Sequence, residues 1–348
     1  MSYHAPKALR GWLLKVSAKG FRCESHLRDT TPANPEAASA LRRRERLRYV
    51  VLLLITAAVL AALFAQAPKA LKTLLAPHWP TAAGAVALTA LFPLCMAVRW
   101  AAILWAGGYG VKLSEAVWIT MAAWPLGTLT PSKTGDMAKA FCVRDKAPLA
   151  VGLGSVATER ALDVIVLLAF SLGGALALGR GAIAVFSGLG LAAAAAGWAA
   201  VALGWRLPVG PKWSQRLERF GETARVLLRR PGHLALSAGA AGANWLLSIW
   251  QTHLLFRAYG ADPPFLFVCA ALPVAIFVGL LPVTIAGMGT RDKALMTLFA
   301  ALAVPESVSL SVGILYSLCG YWLPSLAGLF FMRRLAEQFP GLSVSRPG

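Results

Sequence analysis

Six largely apolar runs, separated by short polar breaks, dominate the chain: Tyr49 to Gln66, Thr81 to Gly107, Gly152 to Leu178, Gly181 to Trp205, His233 to Ala258 and Ser307 to Met332. Each approaches or exceeds the ~20 residues a helix needs to cross the hydrocarbon core of a membrane, so the pattern predicts six spans. Two further runs are less regular. Ser114 to Thr130 is broken by Pro125 and ended by Pro131, and Pro264 to Leu281 is broken by Pro273 and ended by Pro282. Both lead into Gly-containing polar turns, PSKTGD at Pro131 to Asp136 and PVTIAGMGTRD at Pro282 to Asp292.

Charge decides how the two irregular runs are drawn. Residues 1–48 hold 11 Lys or Arg against 4 Asp or Glu and end in the cluster Arg42, Arg43, Arg44, Arg46 and Arg48. The first apolar run lies too far from Met1 for a cleavable signal peptide, so the expectation is a retained cytoplasmic tail. The segment 204–232 carries seven Lys or Arg and two Glu, and by the positive-inside rule it is cytoplasmic too. An even number of crossings must then separate the two. That requires Ser114 to Lys146 to enter and leave by one face, as a re-entrant hairpin. The same treatment of Pro264 to Val304 gives a hairpin opening on the opposite face and returns the tail 333–348, with Arg333 and Arg334, to the cytoplasm. The expected fold is therefore an all-α polytopic membrane protein with about six full spans and two opposed re-entrant hairpins, its membrane domain covering 49–332.

The two halves, about 81–178 and 233–332, also repeat. Thr81, Ser114, Pro131 and Gly152 open four elements, and His233, Pro264, Gly287 and Ser307 open four more at nearly constant offsets. Because the second set starts from the other face, the spacing predicts an inverted-topology repeat, the device by which many transporters build a midplane site from broken helices.

Nine ionisable residues fall within these apolar and re-entrant segments: Arg99, Lys133, Asp136, Glu159, Arg160, Asp163, Arg291, Asp292 and Lys293. A lone charge at a helix centre costs ~2.5–3.5 kcal/mol on insertion scales, so they must face one another or water. Glu159 and Asp163 share a helical face, and Arg160, three before Asp163, can pair with it. This trio is either a structural bridge or a switching ion-pair network. At the turns, Gly135, Gly287 and Gly289 let the chain reverse, Pro131 and Pro282 end the preceding helices, and the helix N-termini with Lys133 and Arg291 beside them favour a bound anion. Five positive charges against four negative leave a surplus of one for a lipid phosphate; the alternative is that the turns are kinks with internally paired charges. Asn244, Gln251 and His253 read as helix–helix hydrogen-bonding groups, and Trp213 to Leu228 as an amphipathic stretch on anionic headgroups.

With 57% hydrophobic and 14% charged residues against about 25% charged in an ordinary soluble domain, a solvated enzyme is excluded. The net charge of +19 is absorbed by the positive-inside rule, and no nucleic-acid partner is expected. Five widely spaced cysteines form no disulfide framework or metal motif. No nucleotide-binding loop, nucleophile elbow, HExxH or aspartate-rich motif is present, so no catalytic residue, cofactor or metal is assigned, and the oligomeric state is left open.

Leu129 to Arg144, ATERALDVI at Ala157 to Ile165, and the second turn together resemble the flippase-like transmembrane region of lysylphosphatidylglycerol synthases. Pro131, Ser132, Lys133, Gly135, Asp136 and Lys139 match the first motif, Glu159, Arg160 and Asp163 the second, and Gly287, Gly289, Arg291 and Asp292 the third. The chain departs in having Lys133 where Arg is frequent, and Asp136 and Asp292 where Glu is frequent. The resemblance implies a bacterial inner-membrane protein that binds or translocates a phospholipid or isoprenoid-linked lipid, with Lys133, Asp136, Lys139, Arg291 and Asp292 at an anionic headgroup. It does not imply aminoacyl transfer: the soluble transferase domain of the synthases follows the membrane region, and only 16 residues follow Met332. The rival expectations are an accessory subunit of a lipid-modifying or glycan-assembling enzyme and an intramembrane lipid transferase using Glu159 or Asp163 as base.

Overall fold

The computed structural model describes residues 35–204, 211–281 and 283–338. The tail before residue 35, Pro282 and residues 339–348 lie outside the described residues, as do the side chains of Pro131, Arg333, Arg334 and the Arg42–Arg48 cluster. The described residues are predominantly helical, with no strand among them.

A long first helix, α1 (Pro35–Gln66), is followed by the short α2 (Ala70–Leu74). The first half then comprises α3 (Trp79–Ala87), joined through one 3₁₀ turn to α4 (Phe92–Ala106), then α5 (Leu113–Leu129), a 3₁₀ turn at Pro131–Met137, α6 (Ala138–Cys142) and α7 (Leu149–Ala177). Helices α8 (Gly181–Leu203) and α9 (Pro211–Leu228) connect the halves. The second half comprises α10 (Pro231–Ala258), α11 (Phe265–Gly279), a 3₁₀ turn at Ile285–Gly287, α12 (Thr290–Ala300), α13 (Glu306–Ser317), a π-helical turn at Leu318–Trp322 and α14 (Leu323–Gln338).

Among the described residues, four continuous stretches are long and apolar enough to cross a membrane: Trp79–Ala106, Leu149–Ala177, Gly181–Leu203 and Glu306–Met332. Val50–Gln66 is a shorter apolar helix, and α10 is 28 residues long but carries Asn244, Gln251, His253 and Arg257, which dilute its hydropathy. One expectation is corrected here. Pro125 and Pro273 do not break their runs but lie inside α5 and α11. A proline removes one backbone donor, and packing offsets that loss: the Pro125 ring lies against Gly328 of α14, where a methyl group would come within 2.7 Å of its Cδ. α5 ends only at Thr130, the residue before Pro131, which takes an extended conformation.

The halves pack on each other in a reciprocal pattern. α4 lies along α10, α5 along α14, and α11 along α7, so the first elements of the halves pair together and each second element pairs with the other half's last. Small residues permit close approach at these seams. Gly174 of α7 faces the backbone of Leu266 and Ala270 on α11, and Ser171 donates to the Ala270 carbonyl at 2.8 Å. Ser237 of α10 likewise donates to the Arg99 carbonyl at 3.2 Å. The largest apolar cluster surrounds α11, with Phe256 stacked on Phe299 at 4.2 Å and Phe267 edge-on to it.

Candidate functional site

Six charged side chains converge at the first turn, from α4, the turn itself, α6 and α7. Arg99 on α4 pairs with both Glu159 and Asp163 on α7, and Lys139 on α6 reaches Glu159 Oε2 at 2.7 Å. Arg160 lies within 3.3 Å of Asp163, 3.5 Å of Glu159 and 3.6 Å of Asp136. Trp245 of α10 donates to Asp163 Oδ1 at 2.9 Å, which ties the second half into the network. Three cations thus meet three carboxylates, and the cluster is neutral. Arg99, Lys139 and Glu159 are sealed from solvent, whereas the Arg160 side chain is about a third exposed, at 31%.

The trio expected from sequence is therefore half of a larger assembly. Arg99, noted but given no role, and Asp136 and Lys139, placed by resemblance at a headgroup, complete it. Lys139 is fully buried, its ammonium above the Trp100 ring at 5.4 Å, because α6 is a single short helix that turns the residue under Glu159. Asp136 and Lys139 sit with this network, Asp136 having Oδ1 against Gly127 of α5. Gly135 backs onto the Leu126 carbonyl, where no side chain would fit, and its N–H donates to Thr130 Oγ1 at 2.7 Å.

The second turn is fastened from within. Arg291 is 1% exposed; its Nη2 donates to Asp292 Oδ1 at 3.0 Å, to the Gly313 carbonyl at 3.3 Å and to Ser317 Oγ. Asp292 Oδ2 accepts the Gly289 N–H at 2.9 Å, so the start of α12 is capped by its own carboxylate. At the Gly289 N–H the helix start thus meets a carboxylate of its own chain. Gly287 and Gly289 both have positive φ, 70° and 92°, and each lies against a neighbour, Gly279 and Val59 respectively, that would collide with a side chain. Thr56 of α1 accepts the Ile285 N–H at 2.9 Å and anchors the turn from outside.

Between the turns lies an open cleft walled by Thr128, Thr130 and Lys133 from the first half and by Gly279, Thr284 and Arg291 from the second. Lys133 and Arg291, far apart in sequence, share it. Tyr321, on the π-helical turn, stands between them, with Lys133 Nζ 4.8 Å and Arg291 Cζ 5.5 Å from its ring centre. Sequence reading missed Tyr321; an aromatic residue in an otherwise apolar run carries no signal of its own. Among the described residues no carboxylate lies within ion-pair distance of Lys133, and its backbone takes a left-handed conformation with φ of 56°. Lys293 of the original nine is exposed and bonds Gln66 at 2.9 Å. With Lys139 in its place, the set still holds five cations and four carboxylates, and the cation without a carboxylate in ion-pair reach is Lys133.

An all-helical chain with long apolar helices, paired charges in its interior and a polar cleft between two broken segments defines the class of polytopic membrane proteins. Residues 49–328 match the family model of the lysylphosphatidylglycerol synthase TM region, and the chain belongs to that family. Similar curated proteins include the UPF0104 membrane proteins of Methanothermobacter thermautotrophicus (26% identical over 113 residues, 32% of this chain and 33% of the relative) and Pyrococcus horikoshii (28% over 112 residues, 32% and 33%). A UPF0104 membrane protein of Methanocaldococcus jannaschii is 25% identical over 119 residues, 34% of this chain and 35% of the relative. The matched stretches span about a third of the length of each relative.

Proposed function

We propose that the chain is a lipid flippase or lipid-binding transporter of the bacterial inner membrane, which takes the headgroup of an anionic phospholipid or isoprenoid-linked lipid into the cleft while the acyl or prenyl tails stay in the bilayer. The observation that carries this reading is Lys133: an ammonium without a carboxylate partner, in a strained backbone conformation, facing an open cleft beside Arg291. A lipid phosphate supplies the missing negative charge. The capping carboxylate of Asp292 and the Arg291 contacts hold the far wall, and the neutral network of Arg99, Lys139, Arg160, Asp136, Glu159 and Asp163 provides a rearrangeable support for the near wall. Arg160, the exposed member shared among three carboxylates, is the natural switching arm.

Helix lengths support the re-entrant drawing. At 1.5 Å per residue α11 spans ~22 Å and α12 ~16 Å, short of the ~30 Å hydrocarbon core. The reciprocal pairing of α4 with α10, α5 with α14 and α7 with α11 is what an inverted repeat with two opposed hairpins would produce. Residues 1–48, 204–232 and 333–348 are then cytoplasmic.

Proteoliposomes with a fluorescent phospholipid, quenched from outside by an impermeant reductant, test transport. Reconstituted protein is expected to raise the accessible fraction of an anionic probe above the half found in empty vesicles, and Lys133→Gln to abolish the increase. Lys133-dependent binding without translocation would reject transport and shift the role to an accessory subunit that presents the lipid to an enzyme.

A further inference from the structure

Two cations from opposite halves of the chain share one aromatic ring. Lys133 Nζ lies 4.8 Å and Arg291 Cζ 5.5 Å from the centre of the Tyr321 ring, and all three side chains line the cleft. The electron-rich face of a phenol attracts a cation much as a weak anion does. Arg291 also has Asp292 as its counter-ion, whereas Lys133 has no carboxylate in ion-pair reach among the described residues. Unusual backbone on both sides makes the meeting possible. Lys133 sits in the left-handed region with φ of 56°, which lysine rarely adopts. Tyr321 sits on the π-helical turn, where the Leu323 N–H returns to the Leu318 carbonyl five residues back. That turn is fastened to both walls of the cleft. Ser325 Oγ lies 2.5 Å from the Tyr321 carbonyl and 2.8 Å from Thr128 Oγ1 of α5, and Trp322 Nε1 donates to Met288 Sδ of the second turn at 3.3 Å. The ring itself is only partly buried, so packing alone does not account for its position.

Resting on the headgroup reading above, we propose that the Tyr321 ring is a placeholder for the headgroup: it holds Lys133 and Arg291 while the cleft is empty, and an entering phosphate displaces it. Tyr321 is then a positioning residue, which sets affinity through the two cations. A phosphate carries a full negative charge and outcompetes the ring quadrupole. The ring nevertheless lowers the apparent affinity, because only the fraction of molecules with the ring withdrawn is ready to bind. Deleting the ring removes this competitor and leaves two like charges facing the same space, which an anion relieves. Both effects act in one sense, and binding tightens. A tyrosine that lined the site passively, or gave its hydroxyl to the phosphate, would act in the opposite sense.

Phosphatidic acid, whose headgroup is the phosphate alone, is the probe, bound to the purified full chain and measured by native mass spectrometry. Tyr321→Leu and Tyr321→Met both delete the ring, and whichever of them folds should bind phosphatidic acid about fivefold more tightly than the wild type. That factor is the low end of what two partly exposed cation–π contacts supply. Tyr321→Phe, which keeps the ring and loses the hydroxyl, should bind as the wild type does. Unchanged or weaker binding by the ring-deleted proteins overturns the placeholder, and so does a Tyr321→Phe protein that gains as much as they do. A measurement that keeps the ring uses the chain with 3-fluorotyrosine at its six tyrosines, the Tyr321 signal being assigned by its loss in Tyr321→Phe. Its fluorine resonance should move as phosphatidic acid binds; a stationary resonance at saturation rejects displacement of the ring. Lys133→Gln distinguishes the parent reading. It should weaken binding, and if it does not, the headgroup cleft itself is wrong; weakening by Lys133→Gln without tightening by ring deletion removes the placeholder alone.

Discussion

Replacing Glu159 with glutamine removes the carboxylate that Arg99 and Lys139 both contact, the latter at 2.7 Å, in a position fully sealed from solvent. The network then holds three cations against two carboxylates, and the glutamine amide sets a donor against either Arg99 or the Lys139 ammonium. Removing one partner of a buried pair costs ~3–5 kcal/mol, since the stranded charge keeps its desolvation penalty. The same reasoning makes Arg160→Gln milder, ~1 kcal/mol, because that side chain is 31% exposed and its contacts run from 3.3 to 3.6 Å. Glu159→Gln combined with Lys139→Met restores neutrality, two against two, and should recover ~1–3 kcal/mol of the single variant's loss. Unfolding of the purified protein in mixed micelles, titrated with an anionic detergent and followed by tryptophan fluorescence, measures all four. A Glu159→Gln protein within ~0.5 kcal/mol of the wild type, or a double variant no more stable than the single one, would refute the idea that these charges are mutually compensated in a low-dielectric interior.

Three other expectations follow from particular contacts. Gly127→Ala pushes a methyl group onto Asp136 Oδ1 and should cost ~1–3 kcal/mol in the same titration, whereas Gly173→Ala on α7, where nothing lies within 4 Å, should be neutral or slightly stabilising. Gly287→Ala combines a positive φ with a clash against Gly279 and should lower both the folded yield and the thermal midpoint, more than Gly84→Ala in open space. Single cysteines at Glu218 and Glu222 of α9 should react with an impermeant thiol reagent only in inside-out vesicles; labelling in intact cells would overturn the cytoplasmic placement of 204–232 and the inverted repeat with it.

The positions of the helices and of both turns were readable from the chain because apolar runs, prolines and glycines act locally. The pairing of Arg160 with Asp163 was readable for the same reason, being one helical turn apart. The pairing of Lys139 with Glu159 was not readable, because the basic run after the first turn, with Arg144 and Lys146 following, gives no sign of burial. The burial of Lys139 depends on a five-residue helix folding back under α7, which no periodicity announces. Arg99 meets Glu159 across 60 residues and Trp245 meets Asp163 across 82, contacts set by tertiary packing alone. Asp292 as the cap of its own helix was foreseeable, lying three residues after Gly289, yet its charge suggested a ligand contact first. Tyr321 entered the cleft through a π-helical turn that shifts the register of α13 and α14, a feature often found at functional sites and invisible to hydropathy.

The most direct test asks where a lipid headgroup rests. An anionic phospholipid with a photoreactive group at the headgroup, activated on the reconstituted protein and mapped by peptide mass spectrometry, should mark 127–133 and 279–291, the two walls of the cleft. Lys133→Gln should remove the marks from both. Labelling confined to the largely exposed apolar helix Gly181–Leu203, or labelling of the cleft unchanged by Lys133→Gln, would contradict a headgroup site built on the unmatched charge of Lys133.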